Sequence, residues 1–429
     1  MLHGALPDDP ETEALIGEPA ALAAMVRVEA ALAAVQGEIG TIPEGAARAI
    51  AALDGMGVRP EVVAGPTASN AVPIPALVAH LREQLPAEAA DWLHHGATSQ
   101  DIMDSALCLQ LAGILDLAEA RLRTLLVRLA GLAETHAETP MLARTWGQSA
   151  LATAFGAVAA GWGRPLEALL EELPDLRRRA LRVSLAGAAG TLSAMPEGPA
   201  TRAALAARLA LADPGAGWHA ERSGIALTGQ WIGRALAALG RIGEDASLLA
   251  RGPGALLRLE GAGGSSTMPQ KQNPTGAALI AALARVGAAL EGALTGAMVH
   301  REARDGAAWA VEWLVLPDLC RHLGRALLMA QALVESLRPD PDAMAAELAA
   351  THGTIFAEAL TFALAADIGR TGAAREVKAL VARAGRESPL PALAAARWPD
   401  RDLGAVFDPA RQLGVGPDEA RAFAARWSR

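Results

Sequence analysis

The chain has 429 residues, of which 52% are apolar and 20% charged, and its formal net charge is −9. This length exceeds a single typical core, and this composition excludes a disordered chain. Acidic and basic residues are interspersed without a basic block, so no nucleic-acid partner is expected. The longest apolar run, 275–299, is interrupted by Arg285 and Glu291, and the N-terminus lacks a signal layout. We therefore expect a cytoplasmic protein with no membrane partner.

Helical periodicity is the main pattern along the chain. Apolar residues recur every three or four positions, as Leu279, Leu283 and Val286 do. No run of alternating polarity predicts a strand, although short extended pieces are expected around 183–198. We predict an all-α fold in which a bundle of long helices is completed by other subunits. Five segments are expected to form helices of about 25 residues or more, whereas the usual helix length is about 11–12 residues. These segments are 106–136, 149–173, 222–251, 275–303 and 309–338.

Glycines and prolines divide the chain into three predicted regions. Residues 1–104 form a small N-terminal helical domain, and the stretch His94–Asp101 opens the long helical region after it. Residues 105–337 form the central long-helix bundle. A proline-rich stretch from Arg338 then starts a C-terminal helical domain, 338–429.

The stretch Gly96-Ala97-Thr98-Ser99-Gln100-Asp101 precedes the first long helix. Taken alone it favours a helix cap, in which Thr98 or Ser99 caps and the dipole favours Asp101. A helix N-terminus is also an anion site, so Thr98 and Ser99 remain candidates for ligand binding. His94 lies beside this stretch and is kept as a candidate site residue.

Two further stretches carry polar groups beside long helices. Arg144–Ser149 places the Trp146 indole and the Gln148 amide at an expected helix start, and a core tryptophan with a surface glutamine explains it equally well. Arg304 suits bidentate binding of a carboxylate. A solvated pair with Asp305 is the more common role for such an arginine.

The stretch Gly261–Pro274 departs from the composition of the rest. The chain has only two lysines and two asparagines, and one of each, Lys271 and Asn273, lies here. Its glycines and backbone N–H groups suit an anion, and Ser265 and Ser266 carry hydroxyls that can move a proton if activated. A glycine-serine linker does not explain the ammonium and the amide. We therefore predict a ligand site that needs both.

The two cysteines, Cys108 and Cys320, lie far apart in helical contexts and are predicted to be buried thiols of a reducing compartment. The histidines are scattered, and no His/Cys spacing suggests zinc. The sequence thus predicts no metal site.

In their order along the chain, the four stretches at Gly96, Arg144, Gly261 and Arg304 resemble those of the fumarase/aspartase superfamily. This superfamily includes argininosuccinate lyase, adenylosuccinate lyase and bacterial 3-carboxy-cis,cis-muconate cycloisomerase. Gly264–Pro274 matches the superfamily signature, and Gly96–Asp101, Arg144–Gln148 and Arg304-Asp305 match its other active-site regions. The resemblance extends over the whole chain. It implies a cofactor-independent, all-helical homotetramer with a core of about 20 helices. Each active site would draw residues from three subunits.

The resemblance also implies roles for individual residues. Ser266, the second serine of the signature, corresponds to the catalytic base, and Ser265 is a further candidate. The implied substrate-binding residues are Thr98, Ser99, Trp146, Gln148, Lys271, Asn273 and Arg304.

One position favours a particular reaction. Amine-releasing members of the superfamily carry histidine where this chain has Trp146, whereas bacterial carboxymuconate cycloisomerases have tryptophan there. An amine leaving group needs a proton, but a carboxylate does not, since its conjugate acid has a pKa of about 4. The resemblance thus implies lactonisation of 3-carboxy-cis,cis-muconate, a small tricarboxylate, to 4-carboxymuconolactone in protocatechuate (β-ketoadipate) catabolism.

The alternatives are a fumarate-releasing lyase of the same superfamily, of the adenylosuccinate or argininosuccinate type, and a catalytically silent helical scaffold. Three positions depart from the cycloisomerase pattern. Gln270 and Gln272 replace the usual histidine and arginine, and Ala303 replaces a usual glutamate. Gln272 removes a positive charge from a site that must hold a triply anionic substrate.

Overall fold

A computed structural model describes residues 2–260, 263–264, 267–268 and 271–428, and these are mostly helical, which confirms the all-α class. Short 3₁₀ turns connect some of the helices. In chain order the helices are α1 (Pro10–Ile16), α2 (Glu18–Ile39), α3 (Glu44–Ala51), α4 (Glu61–Asn70), α5 (Ile74–Arg82), α6 (Ala87–Ala90), α7 (Ser99–Thr135), α8 (Phe155–Ala180), α9 (Gly198–Leu209), α10 (Ser223–Leu249), α11 (Thr275–Gly296), α12 (Gly306–Ser336), α13 (Pro341–Ala349), α14 (Ala357–Ile368), α15 (Arg370–Val381), α16 (Leu390–Arg397) and α17 (Gly416–Trp427).

The long helices lie where periodicity predicts them. α7, α8, α10, α11 and α12 have 37, 26, 27, 22 and 31 residues. The expected helix over 149–173 begins only at Phe155, however, because the residues before it form a strand.

Short strands form although the sequence shows no run of alternating polarity. Within the described residues, three antiparallel two-stranded pairs occur. Leucine, alanine and methionine in these short strands favour helix by intrinsic propensity, so pairing rather than sequence pattern defines them. The strands are β1 (Pro140–Thr145) with β2 (Gln148–Ala154), β3 (Leu257–Leu259) with β6 (Leu337–Pro339), and β4 (Gly263–Gly264) with β5 (Gln272–Asn273).

The chain divides into two compact units, and each unit combines three segments of sequence. Unit 1 consists of Met1–Leu122, Ala168–Gly240 and Ile280–Leu328. Unit 2 consists of Arg123–Glu167, Arg241–Leu279 and Met329–Arg429. The three-region division made from the sequence stays a prediction.

Each unit has its own buried core. In unit 1, α7 buries Leu111 and Leu115 completely, and Arg121 of the same helix forms a buried ion pair with Asp9. In unit 2, α14, α15 and α16 pack around an apolar cluster. Its fully buried members are Leu360, Ala373, Leu390 and Ala394.

Both cysteines are buried, as predicted. Burial raises the pKa of the Cys108 and Cys320 thiols to about 12. The thiols are therefore neutral at physiological pH, which fits a packing role.

Two helical segments of the described chain are long and apolar enough to cross a membrane, by length and composition alone. They are Pro10–Ile39, 56% buried, and Thr275–Gly296, 33% buried, and a bent pair in unit 2 (α13 with 354–368) would add a third. The expectation that charges keep every apolar run too short was wrong, since α11 keeps a mean hydropathy of 1.6 despite Arg285 and Glu291. In Pro10–Ile39, Gly17 divides the segment into two helices.

Candidate active site

The N-terminus of α7 is held by the buried carboxylate of Asp101. This carboxylate accepts the Thr98 backbone N–H at 3.0 Å, as a third residue of a helix can do for its cap. It also accepts the backbone N–H groups of Ala186 and Gly187 at 2.9 and 3.0 Å, and it lies 2.8 Å from His219 Nε2. Asp101 is therefore a structural residue that fixes the helix start against the 184–187 segment.

Arg304 reaches this helix start from far along the chain. Its Nη1 donates to the Thr98 hydroxyl at 2.7 Å and to the Ala188 carbonyl at 3.3 Å. Its Nε donates to Gln100 Oε1 at 3.2 Å. The Thr98 hydroxyl and the Arg304 guanidinium thus share one place in unit 1, beside the positive end of a long helix dipole.

The simpler explanation for Arg304, an ion pair with its neighbour, does not describe this site. Asp305 pairs instead with Arg301, at 2.9 Å from Nε. Its other oxygen accepts the backbone N–H groups of Ala307 and Ala308 at the start of α12. The Arg301 side chain is the largest of the contacts that lower the pKa of Asp305. Arg304 therefore donates a hydrogen bond to Thr98 instead of pairing with Asp305.

A buried charged cluster of Arg222, Asp104 and Glu312 contacts the Gln100 amide through Asp104. The Arg222 guanidinium forms two hydrogen bonds to Asp104, at 2.7 and 3.0 Å, and binds Glu312 through Nε at 2.8 Å. The three side chains are each 1% exposed. Burial opposes the charge on Arg222, but both carboxylates outweigh it and raise the pKa of Arg222. Asp104 also accepts the Trp309 indole N–H at 3.1 Å.

His94 lies just before this helix start and contacts a buried acid. Its Nδ1 is 2.6 Å from Glu29 Oε1, and the Glu29 side chain is 1% exposed. Burial opposes the imidazolium, but the Glu29 carboxylate outweighs burial and raises the pKa of His94. The backbone of His94 has a φ of 67°, a left-handed conformation that is uncommon outside glycine and asparagine.

This contact predicts a pH-dependent stability. The raised pKa means that the charged pair stabilises the fold fully below pH 6.5, the ordinary histidine pKa, and less as pH rises through the raised pKa. His94→Asn, which tolerates the left-handed backbone, is expected to lower the free energy of unfolding by about 1.5–3 kcal/mol at pH 5.5–6. The loss should shrink toward pH 8.5. Urea titrations across this range measure it, and a loss independent of pH would contradict the charged pair.

In unit 2 the predicted Trp146 region is a hairpin tip. Trp146 and Gly147 form the two-residue turn between β1 and β2, with φ of 52° and 74°. Positive φ at both positions matches the twist of a tight hairpin, and glycine accommodates it without strain. Placing Trp146 and Gln148 at a helix start was therefore wrong. Both are exposed, and Trp146 is 100% exposed.

Two short strands of the signature stretch pair with each other in unit 2. Gly263 pairs with Asn273 and Gly264 with Gln272, and Pro274 directly precedes α11. Lys271 is exposed and lines a cavity of about 570 Å³ together with Met268 and Arg258. Ser265, Ser266 and Gln270 lie outside the described residues.

The structure therefore brings some predicted residues together. Thr98 and Arg304 are in contact in unit 1, where Ser99 is the first residue of α7. Lys271, Asn273, Trp146 and Gln148 belong to unit 2. Sequence reasoning missed Asp104, Arg222 and His219. The spacing of Asp101 and Asp104, two acids on one face of an apolar helix, was the one available signal.

Residues 26–286 match the family described as lyase, so the chain belongs to that family of enzymes. This match confirms the resemblance found in the sequence. The chain is 37% identical to the 3-carboxy-cis,cis-muconate cycloisomerase of Pseudomonas aeruginosa, over 96% of this chain and 92% of that protein. It is also 37% identical to the nitrosuccinate lyase of Streptomyces davaonensis, over 94% and 90%. The crystal structure of the 3-carboxy-cis,cis-muconate lactonizing enzyme from Pseudomonas putida is similar, with a TM-score of 0.92, 32% identity and 100% of both chains covered.

Proposed function

We propose that this protein is a cofactor-independent cycloisomerase that converts 3-carboxy-cis,cis-muconate to 4-carboxymuconolactone in the cytoplasm. The contact that carries the proposal is the one between Arg304 and Thr98, which joins residues 206 positions apart at a helix N-terminus. Such an arrangement suits a carboxylate. The similarity to cycloisomerases over nearly the full chain supports the same conclusion.

In this reaction one carboxylate of the muconate attacks a double-bond carbon of the same molecule and forms the lactone C–O bond. Negative charge then develops on the adjacent carbon and its attached carboxylate. Ser266 delivers a proton to that carbon and regains one from solvent. Because the two reacting groups are already in one molecule, positioning and charge stabilisation do most of the work.

The remaining carboxylates need cationic and hydroxyl partners. Arg304, Thr98 and the α7 start, with Ser99, supply one group of donors. Lys271 and Asn273 supply an ammonium and an amide. The Lys271 side chain is exposed, so its charge is accessible to a substrate. Trp146 and Gln148 complete the substrate-binding set.

Two observations support a homotetramer with shared active sites. The Trp146 indole is 100% exposed in a single chain, which is costly for so large an apolar group. α11 is strongly apolar, yet only 33% of its most apolar stretch is buried. Contact with other subunits would cover both surfaces and bring the hairpin tip to a neighbouring site.

A second candidate, elimination from nitrosuccinate, has one specific observation in its favour. The nitrosuccinate lyase of Streptomyces davaonensis is as identical to this chain as the Pseudomonas aeruginosa cycloisomerase. Nitrite, like a carboxylate, is a weak base and leaves without protonation. A tryptophan at position 146 is therefore compatible with both reactions, and so is the loss of charge at Gln272.

A side-by-side assay decides between the candidates. Purified protein is mixed with 3-carboxy-cis,cis-muconate, nitrosuccinate, adenylosuccinate or argininosuccinate, and loss of diene absorbance or formation of fumarate is followed. We expect carboxymuconate to have the highest kcat/KM, by about 100-fold or more, since a site fitted to its three carboxylates loses binding with the others. Faster release of fumarate from nitrosuccinate would overturn the assignment, and no turnover of any substrate would favour the silent scaffold.

A further inference from the structure

We propose that Gln100 is a positioning residue that turns Arg304 toward the substrate carboxylate. The proposal rests on the proposed function, because it takes Arg304 and Thr98 as carboxylate ligands. Gln100 is 1% exposed. Its amide nitrogen donates to Asp104 Oδ2 at 3.2 Å and to the His219 carbonyl at 3.0 Å.

These two bonds determine which way the amide points. An amide NH₂ group has two donors, and both acceptors lie on the same side, so the nitrogen must face them. The amide oxygen is then directed at Arg304 Nε, 3.2 Å away. A flipped amide would place its oxygen against a carboxylate and a carbonyl, which would repel it.

The oriented amide in turn fixes the guanidinium of Arg304. Nε is bound to Gln100, and Nη1 is bound to Thr98 and Ala188. Because the guanidinium is planar and rigid, these contacts define its plane. Within the described part of the chain Nη2 has no partner, so its two N–H groups remain for an anion. The Thr98 hydroxyl accepts from Arg304, and its own proton is likewise left to donate.

An amide at position 100 also preserves the charge of Arg304. The carboxylate of Asp104 is engaged by Arg222, Trp309 and Gln100, so it is balanced by a cation other than Arg304. Gln100 accepts a hydrogen bond from Arg304 without neutralising it. A carboxylate at position 100 would form an ion pair with Arg304 and weaken its attraction for a substrate anion.

Gln100→Met tests the proposal because it keeps the size of the side chain and removes both ends of the amide. Steady-state kinetics with 3-carboxy-cis,cis-muconate give KM and kcat, and calorimetry with tricarballylate, a tricarboxylate that does not react, gives Kd. We expect KM and Kd to rise by about tenfold or more and kcat to change by less than about threefold. Arg304 holds the carboxylate equally in the ground and transition states, and such losses appear in KM.

The matched control is Gln110→Met in the same helix. Gln110 is 9% exposed and its amide donates to the Leu15 carbonyl at 3.0 Å, so its loss tests packing without touching Arg304. Its KM and Kd are expected to stay at wild-type values. A second readout is the double variant with Arg304→Lys, in which Gln100→Met should have no further effect on Kd if it acts only through Arg304.

Unchanged KM and Kd in Gln100→Met, an equal loss in Gln110→Met, or full additivity with Arg304→Lys would each overturn the proposal. If Gln100→Met does not fold, Gln100→Glu replaces it, and a wild-type Kd in that variant would count equally against the proposal. Failure of the proposed function would look different. Wild-type protein would then bind tricarballylate but leave carboxymuconate unchanged, while the comparison of Kd values would still be valid.

Discussion

Ser266→Ala is expected to lower kcat for carboxymuconate by about 10²–10⁴-fold, the usual contribution of a positioned acid or base. The hydroxyl is the sole proton carrier in the proposed reaction, and alanine leaves none in its place. Tricarballylate binding should remain close to wild type, because the serine does not supply charge to the carboxylates. The neighbouring Ser265→Ala is the control and is expected to lose much less. Full activity in Ser266→Ala, measured by diene absorbance, would refute its role.

The same variant tests whether active sites are shared. Ser266→Ala, which has a low kcat, and Arg304→Ala, which has a high KM, are dissociated, mixed and reassembled, and activity is measured at carboxymuconate concentrations far below the KM of Arg304→Ala. If the two residues of one site come from different chains, some mixed tetramers contain sites in which both are intact, and activity returns. One variant carries a tag that increases its mass, so that subunit exchange is measured by the appearance of tetramers of intermediate mass. Confirmed exchange without any recovery would place both residues of each site on one chain.

Sequence alone predicted the long helices well because their cause is local. α7, α10 and α12 carry apolar residues every three or four positions, and that spacing defines a buried stripe whatever the partner. The hairpin at Trp146 was missed because its cause is not local. Two short strands with helix-favouring residues are held by their pairing and by a tight turn, and neither gives a periodic pattern.

The candidate site likewise contains residues that the sequence could identify and residues that it could not. Lys271 and Asn273 could be identified because an unusual composition marks them in the sequence. Arg222 could not, since it is one arginine among many and its partner Asp104 lies 118 residues away. A charge pair between distant segments produces no recognisable residue spacing in either segment. Gln100 was visible within its stretch, but its effect on Arg304 depends on which neighbours its amide faces.

Arg222→Met is expected to lower the free energy of unfolding by about 3–5 kcal/mol, the largest stability effect of any substitution proposed for this chain. The change removes the cation that both Asp104 and Glu312 bind, and it leaves two carboxylates 1% exposed without a charge partner. The Trp218 ring also loses the guanidinium that lies 4.6 Å from its centre. Urea-induced unfolding followed by circular dichroism measures the loss.

The matched control is Arg234→Met, which removes a salt bridge to Glu172 in the same unit. Those side chains are 55% and 44% exposed, so water replaces the lost partner and the expected cost is about 0–1 kcal/mol. Burial already raises the pKa of Glu312, and a protonated carboxyl needs no cation, so the deficit of Arg222→Met should shrink as pH falls from 8 toward 5. Adding Asp104→Asn and Glu312→Gln should restore part of the stability for the same reason. Equal losses in the two arginine variants would mean that the buried cluster contributes no more than a surface pair.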